Sequence, residues 1–113
     1  MGFSRAVRVG NRVLVAGTAP IQPDGEVEPD AAAQARRCLA IIGDALQEAG
    51  ASLGDGVRTR MYVVDVADAE AIGRAHGEVF GEVRPASTMV VVAGLLDRRW
   101  KVEIEAEAVV GDD

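Results

Sequence analysis

Glu103, Glu105 and Glu107 stand two residues apart near the end of the chain and alternate with Val102, Ile104, Ala106 and Ala108. Carboxylates on one side of an extended segment can take up and return protons, which is the work of general acid–base catalysis. The same pattern is also an ordinary polar strand face, and spacing alone leaves both readings open. His76 is the one histidine, so one chain cannot build a multi-histidine metal site. It falls between Ala75 and Gly77 in a helical segment; a solvated or partly packed surface position is the simpler reading and a ligand cleft the other. Cys38 is the one cysteine, which excludes an internal disulfide and a cysteine-based zinc site. It falls on an apolar stripe and reads as a small buried hydrophobe. No Gly-rich phosphate loop, HExxH, CxxC or GxSxG motif is present.

These residues need elements to position them. Gly10-Asn11 divides Ala6–Val9 from Arg12–Ala16, two Val-rich stretches that suit a β-hairpin. Residues Pro20 to Asp30 read as a loop. Asp30 to Ala49 reads as a helix, with Ala35, Cys38, Leu39, Ile42, Ala45, Leu46 and Ala49 on one stripe, Asp30 as its N-cap and Gly50 past its end. Val57 to Val66 reads as a strand. Asp68 to Phe80 reads as a second helix capped by Asp68 and Gly81, with Gly73 and Gly77 on one side of it. Those two glycines allow close approach of another backbone, although drift on a surface face is the simpler account. Ser87 to Leu95 and Lys101 to Val110 read as the last strands. The order β-β-α-β-α-β-β makes an α+β, two-layer domain: a mixed sheet with two helices on one face.

That arrangement leaves a sheet face uncovered. It carries Glu103, Glu105 and Glu107 on one strand and Arg58, Arg60 and Tyr62 on another. Both sides of the Ser87–Leu95 strand are largely apolar, which does not suit a strand facing water. A second subunit is therefore expected on this face, with Arg–Glu pairs setting register more than stability.

The chain has 113 residues, which suits one domain spanning 1–113. Hydrophobic residues make up 49%, too many for a disordered chain. The aromatic residues are Phe3, Tyr62, Phe80 and Trp100, so platforms for stacking bases are few. With 12 Lys+Arg against 18 Asp+Glu the net charge is -6, which repels nucleic-acid phosphates. No apolar run approaches the ~18 residues of a membrane span, and no secretory leader is visible. A soluble cytoplasmic protein is expected, with neither a membrane nor a nucleic acid as its partner.

Three regions together resemble the RidA family, also called YjgF or endoribonuclease L-PSP. They are Phe3-Ser-Arg-Ala-Val-Arg-Val-Gly-Asn11 with Val15-Ala-Gly-Thr-Ala-Pro-Ile21; Ala49-Gly-Ala-Ser-Leu53 with Val57-Arg-Thr-Arg-Met-Tyr-Val63; and Arg84-Pro-Ala-Ser-Thr88 with Lys101-Val-Glu-Ile-Glu-Ala106. The resemblance implies a chorismate-mutase-like fold and a homotrimer with helices outside, sheets around a central barrel, and a small-molecule cleft between each pair of neighbouring subunits. In the deaminase branch it implies hydrolysis of reactive enamine or imine acids such as 2-aminoacrylate to a 2-keto acid and ammonia, with no metal or organic cofactor.

By that resemblance Glu103 takes the place of the water-positioning glutamate, and Gly17 and Pro20 match the pocket turn. Thr18 replaces the turn's glutamine, Phe3 stands where a tyrosine would, and Met89 where many members have a cysteine. Ser87 stands where an arginine clamps the substrate carboxylate, which places the chain in an arginine-lacking branch. Each charge-assisted hydrogen bond of such a clamp contributes ~1.5–3 kcal/mol. Losing ~3 kcal/mol weakens binding ~150-fold. Arg58, Arg60, Arg98 and Arg99 are the candidates to replace the clamp. Catalytic Glu103 with ligand contacts at Phe3, Gly17, Thr18, Ser87 and Met89 is thus the expected site. Imine hydrolysis is the first functional reading, a ligand-binding trimer without turnover the second, and an endoribonuclease the last.

Overall fold

Gly10, at a φ of +61°, and Asn11 turn the chain back on itself, a conformation that costs glycine little. In the computed structural model, which describes residues 1–111, this turn joins β1 (Ala6–Val9) to β2 (Arg12–Thr18) with Val9 opposite Arg12 and Ala6 opposite Val15. Residues 112 and 113 of the expected domain lie outside the described residues. β2 runs two residues beyond the expected Ala16. It does so because it pairs with the last strand as far as Thr18 opposite Ile104, after a register shift between Val15 and Thr18.

α1 (Ala31–Glu48) begins where the Asp30 carboxylate accepts a hydrogen bond from the Ala33 amide at 2.9 Å. It ends at Ala49, followed by Gly50 at a φ of +81°. β3 (Gly56–Val63) stops short of Val66. There the Asp65 side chain accepts from the Ala67 amide and winds Val66–Asp68 into a 3-10 turn. α2 (Ala69–Phe80) therefore starts from an already helical Asp68, whose side chain makes no cap bond. The capping expected of Asp68 falls to Asp65, one turn earlier. Gly81 ends the helix at a φ of -57°, not in the left-handed conformation of a glycine cap. β4 (Ala86–Val91) ends before the expected Leu95, and β5 (Val102–Val109) closes the fold.

The sheet order is β1-β2-β5-β3-β4. β4 runs parallel to β3 and the other pairs are antiparallel. A parallel pair needs a crossover, and α2 supplies it. Both helices lie on one face. Val13, Val15, Met61, Val63, Val102 and Ile104 of the sheet pack there with Ala35, Cys38, Leu39, Ile42 and Leu46 of α1 and Ile72, Ala75 and Phe80 of α2, all buried. Burial pushes the Cys38 thiol up to about 12, with nearby Glu103 adding to the shift. Cys38 is thus the small buried hydrophobe expected. A Cβ at Gly73 or Gly77 would meet nothing within 4 Å, so no backbone approaches them.

One buried polar residue holds the connections in place. Gln34 is fully buried. Its amide nitrogen donates to the carbonyls of Glu28 (2.7 Å) and Arg99 (2.8 Å), and its oxygen accepts from the Lys101 amide (2.7 Å). The loop before α1 and the approach to β5 are thereby fastened to the helix. Replacing it by leucine orphans three backbone groups, each costing ~1–3 kcal/mol if it finds no water. Gln34→Leu is expected to lower unfolding stability by about 2–4 kcal/mol in urea titration. A loss under about 0.5 kcal/mol would show that the tie is dispensable.

Candidate functional site

The slip of β2 against β5 falls at Ala16-Gly17-Thr18 and makes room for one carboxylate. A Cβ on Gly17 would lie 2.6 Å from Glu103 Oε1. Arg5, just before β1, donates from Nη1 to Thr18 Oγ1 at 2.9 Å and to the Gly17 carbonyl at 3.3 Å. The Thr18 hydroxyl, itself fully buried, donates to the Ala16 carbonyl at 2.8 Å. Gly17 and Thr18 thus hold a carboxylate and a guanidinium around one short stretch of backbone.

The three glutamates of β5 project from the open face, because Val102, Ile104, Ala106 and Ala108 between them are buried against the helices. Their surroundings differ. Glu105 meets Arg60 Nη1 at 3.3 Å and accepts a hydrogen bond from the Tyr62 hydroxyl. Glu107 meets Arg12 Nη2 at 3.1 Å and Arg60 Nη1 at 3.9 Å. Among the described residues none of the ion pairs reaches Glu103. Burial pushes its carboxyl above the usual range; Arg5 pulls it back and Glu105 adds to the rise. A carboxylate without a neutralising partner is a stronger base than its paired neighbours.

The expected replacements for the clamp are otherwise engaged or far along the chain. Arg60 is paired as described, and Arg58 is in register with Glu107. Arg99 binds Asp97 at 2.9 Å, and Arg98 is exposed. The cation whose charge acts on Glu103 is Arg5, which the sequence reading passed over. Its position follows from the hairpin: with Ala6 opposite Val15, Arg5 falls opposite Ala16, and the Ala16 amide donates to the Arg5 carbonyl. What hid it was the continuation of β2 through Gly17 and Thr18.

Ser87 and Met89 lie elsewhere. In β4 they are in register with Thr59 and Met61, both buried on the helix side, so they share that side of the sheet. The Thr59 hydroxyl lies 2.8 Å from Ser87 Oγ and 2.8 Å from His76 Nε2. His76 is half-buried against Phe80, a partly packed position, and Thr59 links it to Ser87. Phe3 is 60% exposed ahead of β1. One chain brings Gly17 and Glu103 together on the open face, with Thr18 buried beside them in register with Ile104, and holds Ser87 and Met89 on the face opposite Glu103. A hollow of about 280 Å³ on the open face is lined by Ser4, Val7, Leu14, Arg58, Arg60 and Glu105 among others, and by none of the expected site residues. Among the described residues no cluster of His, Cys, Asp or Glu could hold a metal ion, and no helix is long and apolar enough to cross a membrane.

The family model described as Endoribonuclease L-PSP matches residues 1–110. The chain belongs to this family, known also as RidA or YjgF. It is 36% identical to the 2-iminobutanoate/2-iminopropanoate deaminase of Escherichia coli, over 95% of this chain and 86% of that one. Rv2704 of Mycobacterium tuberculosis, a YjgF/YER057c/UK114 family member, superposes with a TM-score of 0.89 at 46% identity over 96% of this chain and 87% of that one. Escherichia coli TdcF, solved with bound serine, superposes with a TM-score of 0.91 at 30% identity over 98% and 90%. The two-layer RidA fold expected from the sequence is the fold observed.

Glu103 gives this site a pH signature. Its folded-state carboxyl titrates above the unfolded one, so the folded protein is favoured while Glu103 is protonated and loses stability as pH rises through the raised value. Glu103→Gln is therefore expected to melt at a higher temperature than the parent at pH 7, with the gap closing towards about pH 3, below the ordinary glutamate range, where the parent is protonated in both states. Thermal denaturation across pH checks this; a variant less stable than the parent at pH 7 contradicts it.

Proposed function

We propose that the chain hydrolyses a small reactive imine or enamine, working as a homotrimer whose ligand clefts lie between subunits. The observation that carries this is the half-buried Glu103, out of reach of the ion pairs and seated over Gly17 beside Arg5. The identity with the Escherichia coli deaminase supports the reaction class. A water held by Glu103 attacks the carbon of a protonated imine. One O–H bond of the water breaks and its proton passes to Glu103; the oxygen bonds to carbon, and the C=N π pair moves to nitrogen. Glu103 then returns the proton to that nitrogen; the adduct's hydroxyl gives its proton to a neighbouring base, the freed O–H pair becomes the C=O π pair, and the C–N pair leaves with the nitrogen as ammonia. In this reading backbone amides near Met89 stabilise the developing charge.

The assembly is supported by the open face. Val7 (48% exposed), Leu14 (39%) and Val90 (43%) sit there among the Arg–Glu pairs, an apolar and charged mixture suited to a subunit interface. The separation seen in one chain is answered in this reading if the β4 edge of one copy sits against the open face of the next, so that the Glu103 of one copy faces the Ser87 of another. Phe3, Gly17, Thr18, Ser87 and Met89 are the ligand contacts in this reading.

Ser87 favours one alternative, a trimer that binds a small ligand without turning it over. Serine offers one neutral donor where a guanidinium would offer a charged pair. Carboxylate-bearing substrates are therefore held weakly, and neutral imines are preferred. RNA cleavage stays last on the net charge of -6.

Ammonia release from a panel of enzymatically generated imines, 2-aminoacrylate included, tests the enzymatic reading. The parent is expected to exceed buffer, and Glu103→Gln to lose about 100-fold or more. Gly17→Ala is expected to fold normally, because its methyl meets only the movable end of Glu103. It should nevertheless lose about tenfold in rate as the carboxylate is displaced. A parent no faster than buffer on every imine overturns hydrolysis; thermal stabilisation by an unchanged compound would then favour the binding reading.

A further inference from the structure

Thr59 is buried in β3, 1% exposed, and its hydroxyl has a polar partner on either side. Ser87 Oγ of β4 and His76 Nε2 of α2 each lie 2.8 Å from it. Three side chains from three elements thus form one chain, running from a half-buried imidazole to an exposed serine at the sheet edge. The parallel register of Thr59 with Ser87 fixes the first link. The packing of α2 fixes the second, with the Phe80 ring centred 4.8 Å from the imidazole.

Each hydroxyl carries a single proton, so two arrangements satisfy every atom of the chain. In one, Nε2–H donates to Thr59, Thr59 donates to Ser87, and the Ser87 proton points outward. In the other, Ser87 donates to Thr59, Thr59 donates to the Nε2 lone pair, and Ser87 presents a lone pair outward. A proton taken up at Ser87 converts the second arrangement into the first and leaves the added charge on the imidazole. Such a chain is a wire between surface and interior, and neither the glutamate face nor the core packing needs it.

We infer that Ser87, Thr59 and His76 are a proton relay serving the ligand cleft, with Ser87 the group that touches the ligand and His76 acting through the two hydroxyls. The inference rests on the hydrolytic reading. In the collapse of the tetrahedral adduct, after nitrogen has been protonated, the adduct's O–H bond breaks. Its proton passes to Ser87 Oγ, that of Ser87 to Thr59 and that of Thr59 to His76 Nε2. The freed O–H pair becomes the C=O π pair, and the C–N pair leaves with nitrogen as ammonia. The imidazolium then returns its proton to water. Burial lowers the imidazole pKa from its usual value and is the one cause of that shift. The ring meets the Thr59 hydroxyl and the Phe80 ring, both uncharged, and no charged group adds to the shift. His76 is therefore neutral and ready to accept at neutral pH.

Because His76 is the one histidine in the chain, its titration can be followed by NMR without ambiguity. The test measures ammonia release against pH for the parent, Thr59→Val, Thr59→Ser, His76→Asn and the Thr59→Val/His76→Asn double variant, beside the imidazole titration of the parent. The parent rate is expected to rise with pH along the His76 titration. Thr59→Val keeps the shape of threonine without the hydroxyl; about a tenfold loss and disappearance of that pH step are expected. Thr59→Ser, which restores a hydroxyl, is expected to keep both rate and step. The double variant is expected to be no slower than either single one, because a broken wire cannot be broken twice. A Thr59→Val protein with the parent rate and pH step, or losses that multiply in the double variant, overturns the relay. If the parent is active and Glu103→Gln is not, that outcome overturns the relay alone. A parent that releases no ammonia overturns the hydrolytic reading and the relay together.

Discussion

β5 lies at the centre of the sheet, hydrogen-bonded on both sides, and its pleat admits no compromise about which side chains face which way. Val102, Ile104, Ala106 and Ala108 must enter the helix side, so Glu103, Glu105 and Glu107 must leave on the other. Three like charges on one strand face repel unless cations answer them. Neighbouring strands answer two of the three: Arg60 and Tyr62 of β3 and Arg12 of β2 reach Glu105 and Glu107. Glu103 stands where β2 slips out of register, and there the neighbour is a glycine with no side chain to offer. The register shift leaves one carboxylate of the three chemically available, with Arg5 held close by Thr18 and the Gly17 carbonyl.

The sheet also divides the polar groups into two sets. Glu103, Gly17 and Arg5 face the open side, while Ser87, Thr59 and His76 face the helix side at the edge strand. Each set is internally hydrogen-bonded or packed, and neither is an accident of surface composition. A five-stranded sheet with two helices can cover one face only, and the other carries exposed valine and leucine among ion pairs. The proposed assembly would join the two sets in one cleft by setting the β4 edge of one copy beside the Glu103 of the next. Part of the excess negative charge is concentrated on β5.

The elements were legible in the sequence where a period was clean. The α1 stripe, the hairpin turn at Gly10-Asn11 and the alternation of β5 each carry a hydrophobic pattern that only one structure buries. Strand and helix ends were less legible, because they are set by local bonds that no period encodes. The Asp65 side chain cuts β3 short, and pairing with β5 lengthens β2. At the site, Glu103 and Gly17 were visible by resemblance, but the close approach between them depends on a register slip. Arg5 was hidden for the same reason. The link from His76 to Ser87 joins residues of a helix and an edge strand through Thr59 in a third element, and no sequence spacing announces it.

The central claim is that one working cleft draws Glu103 from one copy and Ser87 from another. Mixing two impaired proteins tests it most directly: Glu103→Gln chains and Ser87→Ala chains, co-refolded in equal amounts and assayed for ammonia release. Random assortment gives about a quarter of the clefts an intact pair. Activity is expected to return to about that fraction of the parent's, above the roughly one tenth left to Ser87→Ala alone and the roughly one hundredth left to Glu103→Gln alone. A mixture no more active than the mean of its two components would contradict the account.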